Sequence, residues 1–135
     1  MLEPRANHNR DIRILHIEDD PCDAELIEMM IGAHLACHVT KVATKVALEA
    51  ALERDTPDFI LSDSSLSGFD GLLALALAKQ KHPAVPFIFC SGHVSEARKT
   101  EALKHGALDY LSKGDLTGLI ALIKSLRGDD KTSSP

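Results

Sequence analysis

The sequence predicts an α/β fold in which a five-stranded parallel sheet carries five helices, packed on both of its faces. Short apolar segments that are typical of buried strands alternate five times with longer segments of helical character. Strands separated by helices of ten or more residues pair in parallel, and such sheets are buried on both faces. The length of 135 residues is that of one domain, and 44% hydrophobic with 26% charged residues is an ordinary globular composition.

The first half of the chain contains two strand-helix units. Residues 12–17 are predicted to form the first strand, because they are mostly Ile and Leu. Pro21 opens the first helix, since proline favours the first helical position. A second strand over about 37–42 and a second helix over 43–54 complete this half. His16, inside the first strand, is expected to be a buried histidine with its polar atoms hydrogen-bonded.

The second half continues the alternation around a loop rich in Ser, Gly and Asp, predicted over 63–71. The remaining strands are predicted over 58–62, 87–90 and 108–111, and the remaining helices over 72–81, 95–104 and from 116 to about 126. Residues 1–10 are expected to form an N-terminal extension and residues 128–135 a flexible tail. The predicted domain is therefore 11–127.

Charge and cysteine content disfavour several classes of protein. Fifteen Lys and Arg against 20 Asp and Glu give a net charge of −5, which argues against nucleic-acid binding through a basic surface. Three cysteines without a CxxC pair predict reduced thiols in a cytoplasmic protein. No apolar run approaches the ~20 residues that span a bilayer. The polar first ten residues also lack the apolar stretch of a signal peptide.

Polar residues follow the predicted strands at the edge where open parallel sheets bind ligands. They are Glu18, Asp19 and Asp20 after the first strand, Asp63 with Ser64 and Ser65 after the third, Ser91 after the fourth and Lys113 after the fifth. Carboxylates brought together repel one another, and a hard divalent cation such as Mg²⁺ relieves that repulsion. Lys and Ser side chains can bind an anionic group, and a carboxylate can form an aspartyl-phosphate. The set predicts phosphoryl transfer onto Asp63.

Five segments support this prediction by their order and spacing. They are residues 14–21 (ILHIEDDP), 57–63 (PDFILSD), 68–71 (GFDG), 86–92 (PFIFCSG) and 106–113 (GALDYLSK). Together they closely resemble the CheY-like receiver domain of two-component response regulators, and the resemblance covers about residues 11–127. It implies a doubly wound, flavodoxin-like sheet with strand order 2-1-3-4-5.

The resemblance also implies a phosphorelay function. Asp63 would accept a phosphoryl group from the phosphohistidine of a sensor histidine kinase or histidine phosphotransfer protein, with Ser91 and Lys113 binding that group. The expected Mg²⁺ ligands are Glu18, Asp19, Asp63 and the main-chain carbonyl of Ser65. Tyr110 matches an aromatic switch position that is coupled to Ser91. Such a domain is no enzyme beyond its own phosphorylation and dephosphorylation, and it signals to a downstream protein through altered contacts, without touching nucleic acid or membrane.

Two alternatives remain beside this reading. A pseudo-receiver would keep the fold as a protein-interaction module that phosphorylation does not control, and the departures from the family pattern at Ser67 and Gly114, where proline is usual, weakly favour it. A small flavin-binding protein of similar topology is disfavoured, because the acids after the first strand would repel a ligand phosphate. A trans bond is expected before Gly114, since a non-proline cis bond costs about 2.5–4 kcal/mol. A stand-alone regulator and a piece of a hybrid kinase both stay open.

Overall fold

A computed structural model describes residues 11–66 and 68–127, and in it the predicted parallel sheet is present. Its strands are β1 (Ile12–Ile17), β2 (Cys37–Val42), β3 (Phe59–Ser62), β6 (Phe87–Ser91) and β7 (Asp109–Ser112), and a small separate pair is formed by β4 (Ser65–Leu66) and β5 (Phe69–Asp70). All pairings in the large sheet are parallel, in the order β2-β1-β3-β6-β7. This is the predicted order 2-1-3-4-5, because β4 and β5 lie outside the sheet. The predicted extension over 1–10, the tail over 128–135 and Ser67 lie outside the described residues.

Five helices cover the sheet, as predicted. They are α1 (Pro21–His34), α2 (Lys45–Arg54), α3 (Gly71–Lys81), α4 (Glu96–Lys104) and α5 (Leu116–Arg127). Neighbouring residues of β1 point to opposite faces, so that Ile14 packs in the apolar cluster of α1 and α5 while Leu15 packs in that of α2, α3 and α4. Burial on both faces explains why the central strands β3 and β6, which are buried at every residue, are mostly apolar and have no polar side.

Helix starts follow the capping side chains. Thr44 Oγ1 accepts a hydrogen bond from Ala47 N at 3.1 Å, so α2 begins at Lys45, two residues later than predicted. Asp70 accepts from Leu72 N at 3.1 Å and caps α3 in the same way. Such caps satisfy N–H groups that have no partner within the helix.

The segment predicted as a loop over 63–71 contains two short paired strands, β4 and β5, which the sequence analysis did not predict. Ser65 pairs with Asp70 and Leu66 with Phe69 in antiparallel register. Gly68 adopts a φ of 87°, which a residue without a side chain reaches at little cost. Two-residue strands carry too little hydrophobic alternation to be seen in a sequence.

The helix that follows β6 packs only lightly. Ala102 is the buried residue of α4, whose other described side chains are partly or fully exposed. The polar sequence of this helix, EARKTEALK, accounts for the light packing. The described residues contain no cis peptide bond, so the bond between Lys113 and Gly114 is trans, as expected. Within residues 11–66 and 68–127, no helix has the length and apolar character needed to cross a membrane.

Candidate functional site

Parallel pairing brings the predicted site residues to one edge of the sheet. Main-chain hydrogen bonds continue the ladder just past the strand ends: Asp63 N donates to Ile17 O at 3.0 Å, and Lys113 N donates to Ser91 O at 2.8 Å. In the same way, Glu18 N donates to the last carbonyl of β2. The residues that carry the site are therefore placed by backbone that is itself part of the sheet.

Three carboxylates converge at this edge. Glu18, Asp19 and Asp63 each offer an oxygen, and these oxygens lie within 4.8 Å of one another. Glu18 is only 2% exposed and Asp63 is also buried. Burial raises the pKa of Glu18, although Lys113 and the N–H of Asp20 oppose that rise. Buried oxygen ligands of this kind suit a hard divalent cation such as Mg²⁺, and the predicted metal residues therefore fit the ion.

The ammonium group of Lys113 faces the acids, but it lies closer to Asp23 and Glu18 than to Asp63. Its Nζ lies 2.6 Å from Asp23 Oδ2 and 2.9 Å from Glu18 Oε1, whereas Asp63 Oδ2 is 3.5 Å away. Burial alone would lower the pKa of Lys113, but its hydrogen bonds to Asp23 and Glu18 outweigh that effect and raise the pKa. In this state the ammonium group is shared between three carboxylates and is closest to the one in α1.

Asp23 is a site residue that the sequence analysis did not identify. It lies in the first turn of α1, after the acidic run, and its side chain is partly exposed. A signal was available, because an acid in the first turn of the helix that follows β1 lies at the edge that also carries Lys113 once the sheet forms. Asp20, in contrast, serves as the cap of α1, where Oδ1 accepts from Cys22 N at 2.9 Å and Asp23 N at 3.3 Å.

The Asp63 carboxylate is oriented by the loop that follows it. Oδ1 accepts from Ser64 N at 2.8 Å and lies 3.5 Å from Ser65 N, while Oδ2 faces Lys113. The main-chain carbonyl of Asp63 accepts a hydrogen bond from Ser62 Oγ at 2.7 Å. Ser65 lies at the start of β4 beside this group, and the role of its carbonyl as a metal ligand stays a prediction.

Ser91 and Tyr110 meet at the same edge through a residue between them. Tyr110 Oη donates to Ser64 Oγ at 2.9 Å, and Ser64 Oγ donates to Ser91 Oγ at 2.9 Å. Tyr110 is only 3% exposed, and its ring centroid lies 5.4 Å from that of Phe89. The two predicted switch residues are thus linked by Ser64 in the described structure.

His16 is buried beneath the site, but its polar atoms are not all satisfied, contrary to expectation. Nδ1 has no hydrogen bond, and the nearest carboxylate oxygen, Glu28 Oε2, is 3.5 Å away. Burial first, and then the charges of Lys113 and Lys41, lower the pKa of His16 to about 4. The imidazole is therefore neutral at physiological pH.

Comparisons with known proteins agree with this geometry. A family model of the response regulator receiver domain matches residues 14–124. The chain is 36% identical over 110 residues to the DNA-binding transcriptional regulator NtrC of Escherichia coli K12, a match that covers 80% of this chain and 23% of that protein. The chain thus spans about a quarter of the length of these relatives.

Solved structures show the same fold. The receiver domain of a sensor histidine kinase from Pseudomonas aeruginosa PAO1 superposes with a TM-score of 0.77 at 27% identity, covering 88% of this chain and 99% of that one, and it contains a magnesium ion in its active-site cleft. A response regulator receiver domain from Francisella superposes with a TM-score of 0.78 at 23% identity, covering 89% and 99%. The family model matches most of the chain, over residues 14–124. The chain therefore belongs to the response regulator receiver domain family of two-component systems.

Proposed function

We propose that Asp63 accepts a phosphoryl group from the phosphohistidine of a sensor histidine kinase or a histidine phosphotransfer protein, with the help of Mg²⁺. The observation that carries the proposal is the convergence of the Glu18, Asp19 and Asp63 carboxylates, with Lys113 as the cation beside them. The ion would be held by these three carboxylates and the Ser65 carbonyl. When bound, it neutralises charge on the transferred group.

The transfer is an in-line displacement at phosphorus. One carboxylate oxygen of Asp63 forms the new P–O bond while the P–N bond to the donor histidine breaks, and the donor nitrogen keeps the electron pair. Lys113 binds a phosphoryl oxygen and stabilises the charge that spreads over the group. Ser91 donates a hydrogen bond from its hydroxyl to another oxygen, and the Ser64 N–H keeps the carboxylate oriented. Positioning and electrostatics carry most of such reactions.

We infer that the only reactions that the domain catalyses are its own phosphorylation and dephosphorylation, and that it signals through altered contacts with a downstream protein. The acidic edge and the net charge of −5 support partners other than nucleic acid or membrane for this domain. The free cysteines Cys22, Cys37 and Cys90 support a location in the reducing cytoplasm.

Intact mass spectrometry after incubation with Mg²⁺ and acetyl phosphate tests the proposal. We expect one phosphoryl adduct on the wild type, none without divalent cation, and none on Asp63→Asn. Asp70→Asn is the matched control, since it removes a carboxylate from the same loop while Asn caps α3 equally well. Lack of an adduct on the wild type, under conditions that phosphorylate another receiver domain, would favour the pseudo-receiver alternative. An adduct that persists on Asp63→Asn would move the site elsewhere.

A further inference from the structure

Ser64 connects three groups of the site at once. Its main-chain N–H donates to Asp63 Oδ1 at 2.8 Å, whereas its hydroxyl accepts from Tyr110 and donates to Ser91, each at 2.9 Å. Ser64 is thus hydrogen-bonded both to the Asp63 carboxylate and to the buried tyrosine. Any change at the carboxylate therefore has a direct route to Tyr110.

The hydroxyl groups of Tyr110, Ser64 and Ser91 form a series of hydrogen bonds in which each one donates to the next. Ser91 Oγ donates to His93 O at 3.2 Å and therefore uses its single proton there. It then accepts from Ser64, and Ser64 accepts from Tyr110, whose Oη also lies 3.5 Å from His93 O. The order is Tyr110 to Ser64 to Ser91 to the carbonyl of His93, and each hydroxyl depends on the next.

The backbone of Ser64 is held in place by its neighbours. A side-chain carbon on Gly71 would lie 2.7 Å from Ser64 O and 2.9 Å from Ser64 Cα, so the start of α3 packs closely against this residue. Glycine is required there for space rather than for conformation. Ser64 is therefore a fixed point between the Asp63 loop and Tyr110.

The side chain of Ser64, in contrast, borders open space. A cleft of about 500 Å³ lies between the β4-β5 pair and α4, and Ser64, Tyr110, Phe89 and Arg98 are among its lining residues. Because the helix on the far side is lightly packed, the Tyr110 ring has room to leave its inward position when its hydrogen bond is lost.

We propose that Ser64 is the positioning residue that couples Tyr110 to the phosphorylation state of Asp63. Its hydroxyl holds Tyr110 inward in the unmodified domain. When Ser91 turns its proton from His93 O to a phosphoryl oxygen, the shift of Ser91 is passed to Tyr110 through Ser64. The transmission of the Ser91 shift to Tyr110 rests on the proposed function, whereas the hydrogen bond by which Ser64 holds Tyr110 inward does not. Residue 64 thus determines whether the aromatic side chain responds to the chemistry at Asp63.

Tyrosine fluorescence tests the inference, because the chain has one Tyr and no Trp. In the unmodified protein, loss of one neutral hydrogen bond shifts the ratio of inward and outward Tyr110 rotamers roughly fivefold. We expect acrylamide to quench Ser64→Ala clearly more than the wild type, and Ser64→Thr, which keeps a hydroxyl, to resemble the wild type. Ser125→Ala, an exposed change on α5, is the matched control.

Acetyl phosphate with Mg²⁺ then tests the coupling, with the adduct measured by intact mass in the same samples. We expect phosphorylation to change the Tyr110 signal of the wild type and of Ser64→Thr. Ser64→Ala keeps the main-chain N–H that orients Asp63, and the fraction of this variant that carries the adduct should lack that signal change. If Ser64→Ala is unfolded by circular dichroism, Ser64→Cys, which is of similar size and a weak hydrogen-bond donor, replaces it.

The outcomes separate the two proposals. Equal quenching of Ser64→Ala and the wild type, or an equal signal change on phosphorylation of both, overturns the role of Ser64. A wild type that takes no phosphoryl group overturns the proposed function instead, and the quenching comparison still decides whether Ser64 holds Tyr110.

Discussion

Asp23 holds Lys113 away from Asp63, the proposed phosphoacceptor, and we expect the removal of its charge to make phosphorylation faster. The change Asp23→Asn keeps the shape of the side chain and removes the charge that lies 2.6 Å from Lys113 Nζ. Before Lys113 can bind a phosphoryl oxygen it must leave Asp23, because Asp63 Oδ2 is 3.5 Å from Nζ. The loss of a negative charge also reduces repulsion of the anionic phosphodonor. Both effects are expected to increase the rate of phosphorylation.

The magnitude follows from the exposure of the pair. Two unit charges 4 Å apart interact by about 4 kcal/mol at an effective dielectric constant of about 20. The Asp23 side chain is 39% exposed and that of Lys113 17% exposed, so solvent screening reduces the value to about 1 kcal/mol, the upper end for exposed pairs. A barrier lowered by about 1 kcal/mol corresponds to a roughly fivefold faster reaction.

The assay is the rate of adduct formation by intact mass, at fixed acetyl phosphate, saturating Mg²⁺ and constant ionic strength. Glu25→Gln is the control, because it removes the same charge from an exposed position on the same helix. A rate for Asp23→Asn that is unchanged or lower would refute the reasoning. An equal acceleration in Glu25→Gln would show that net charge, rather than release of Lys113, is responsible.

Three further predictions concern buried groups. Burial lowers the pKa of His16 from 6.5 in the unfolded chain to about 4 in the folded chain, so the folded protein loses stability on acidification. Urea unfolding should show that the free energy of unfolding falls by about 2 kcal/mol between pH 7.5 and pH 5, and that the fall is smaller in His16→Val. An equal fall in that variant would contradict the assignment to His16. Gly71→Ala places a carbon 2.7 Å from Ser64 O and should cost about 1–3 kcal/mol of unfolding free energy, whereas an unchanged thermal midpoint would show that the loop yields freely. Burial raises the pKa of the Cys90 thiol to about 12. A thiol-specific reagent should therefore modify the exposed Cys22 in the native protein, and Cys90 only after unfolding. Rapid labelling of Cys90 in the native protein, detected by peptide mapping, would contradict its burial.

The fold was largely predictable because its signals are local. Apolar runs of four to six residues gave the five large-sheet strands to within a residue or so, and capping residues such as Thr44 and Ser95 explain why helix starts moved. The β4-β5 pair escaped prediction, since two-residue strands have no readable period. Strand order came from the resemblance, because alternation alone specifies parallel pairing but not which strands are neighbours.

The amino-acid sequence by itself determined which chemical groups reach the active edge, since parallel strands deliver the residues that follow them to one place. It therefore predicted that Glu18, Asp19, Asp63, Ser91 and Lys113 share one edge, but it did not identify Asp23. Only the tertiary structure decided how these groups pair. Asp23 reaches Lys113 across 90 residues of chain, and Ser64 reaches Tyr110 across 46. Such contacts form only when distant elements are positioned to within about a few tenths of an ångström, a precision that hydrogen-bond geometry demands and sequence spacing does not encode.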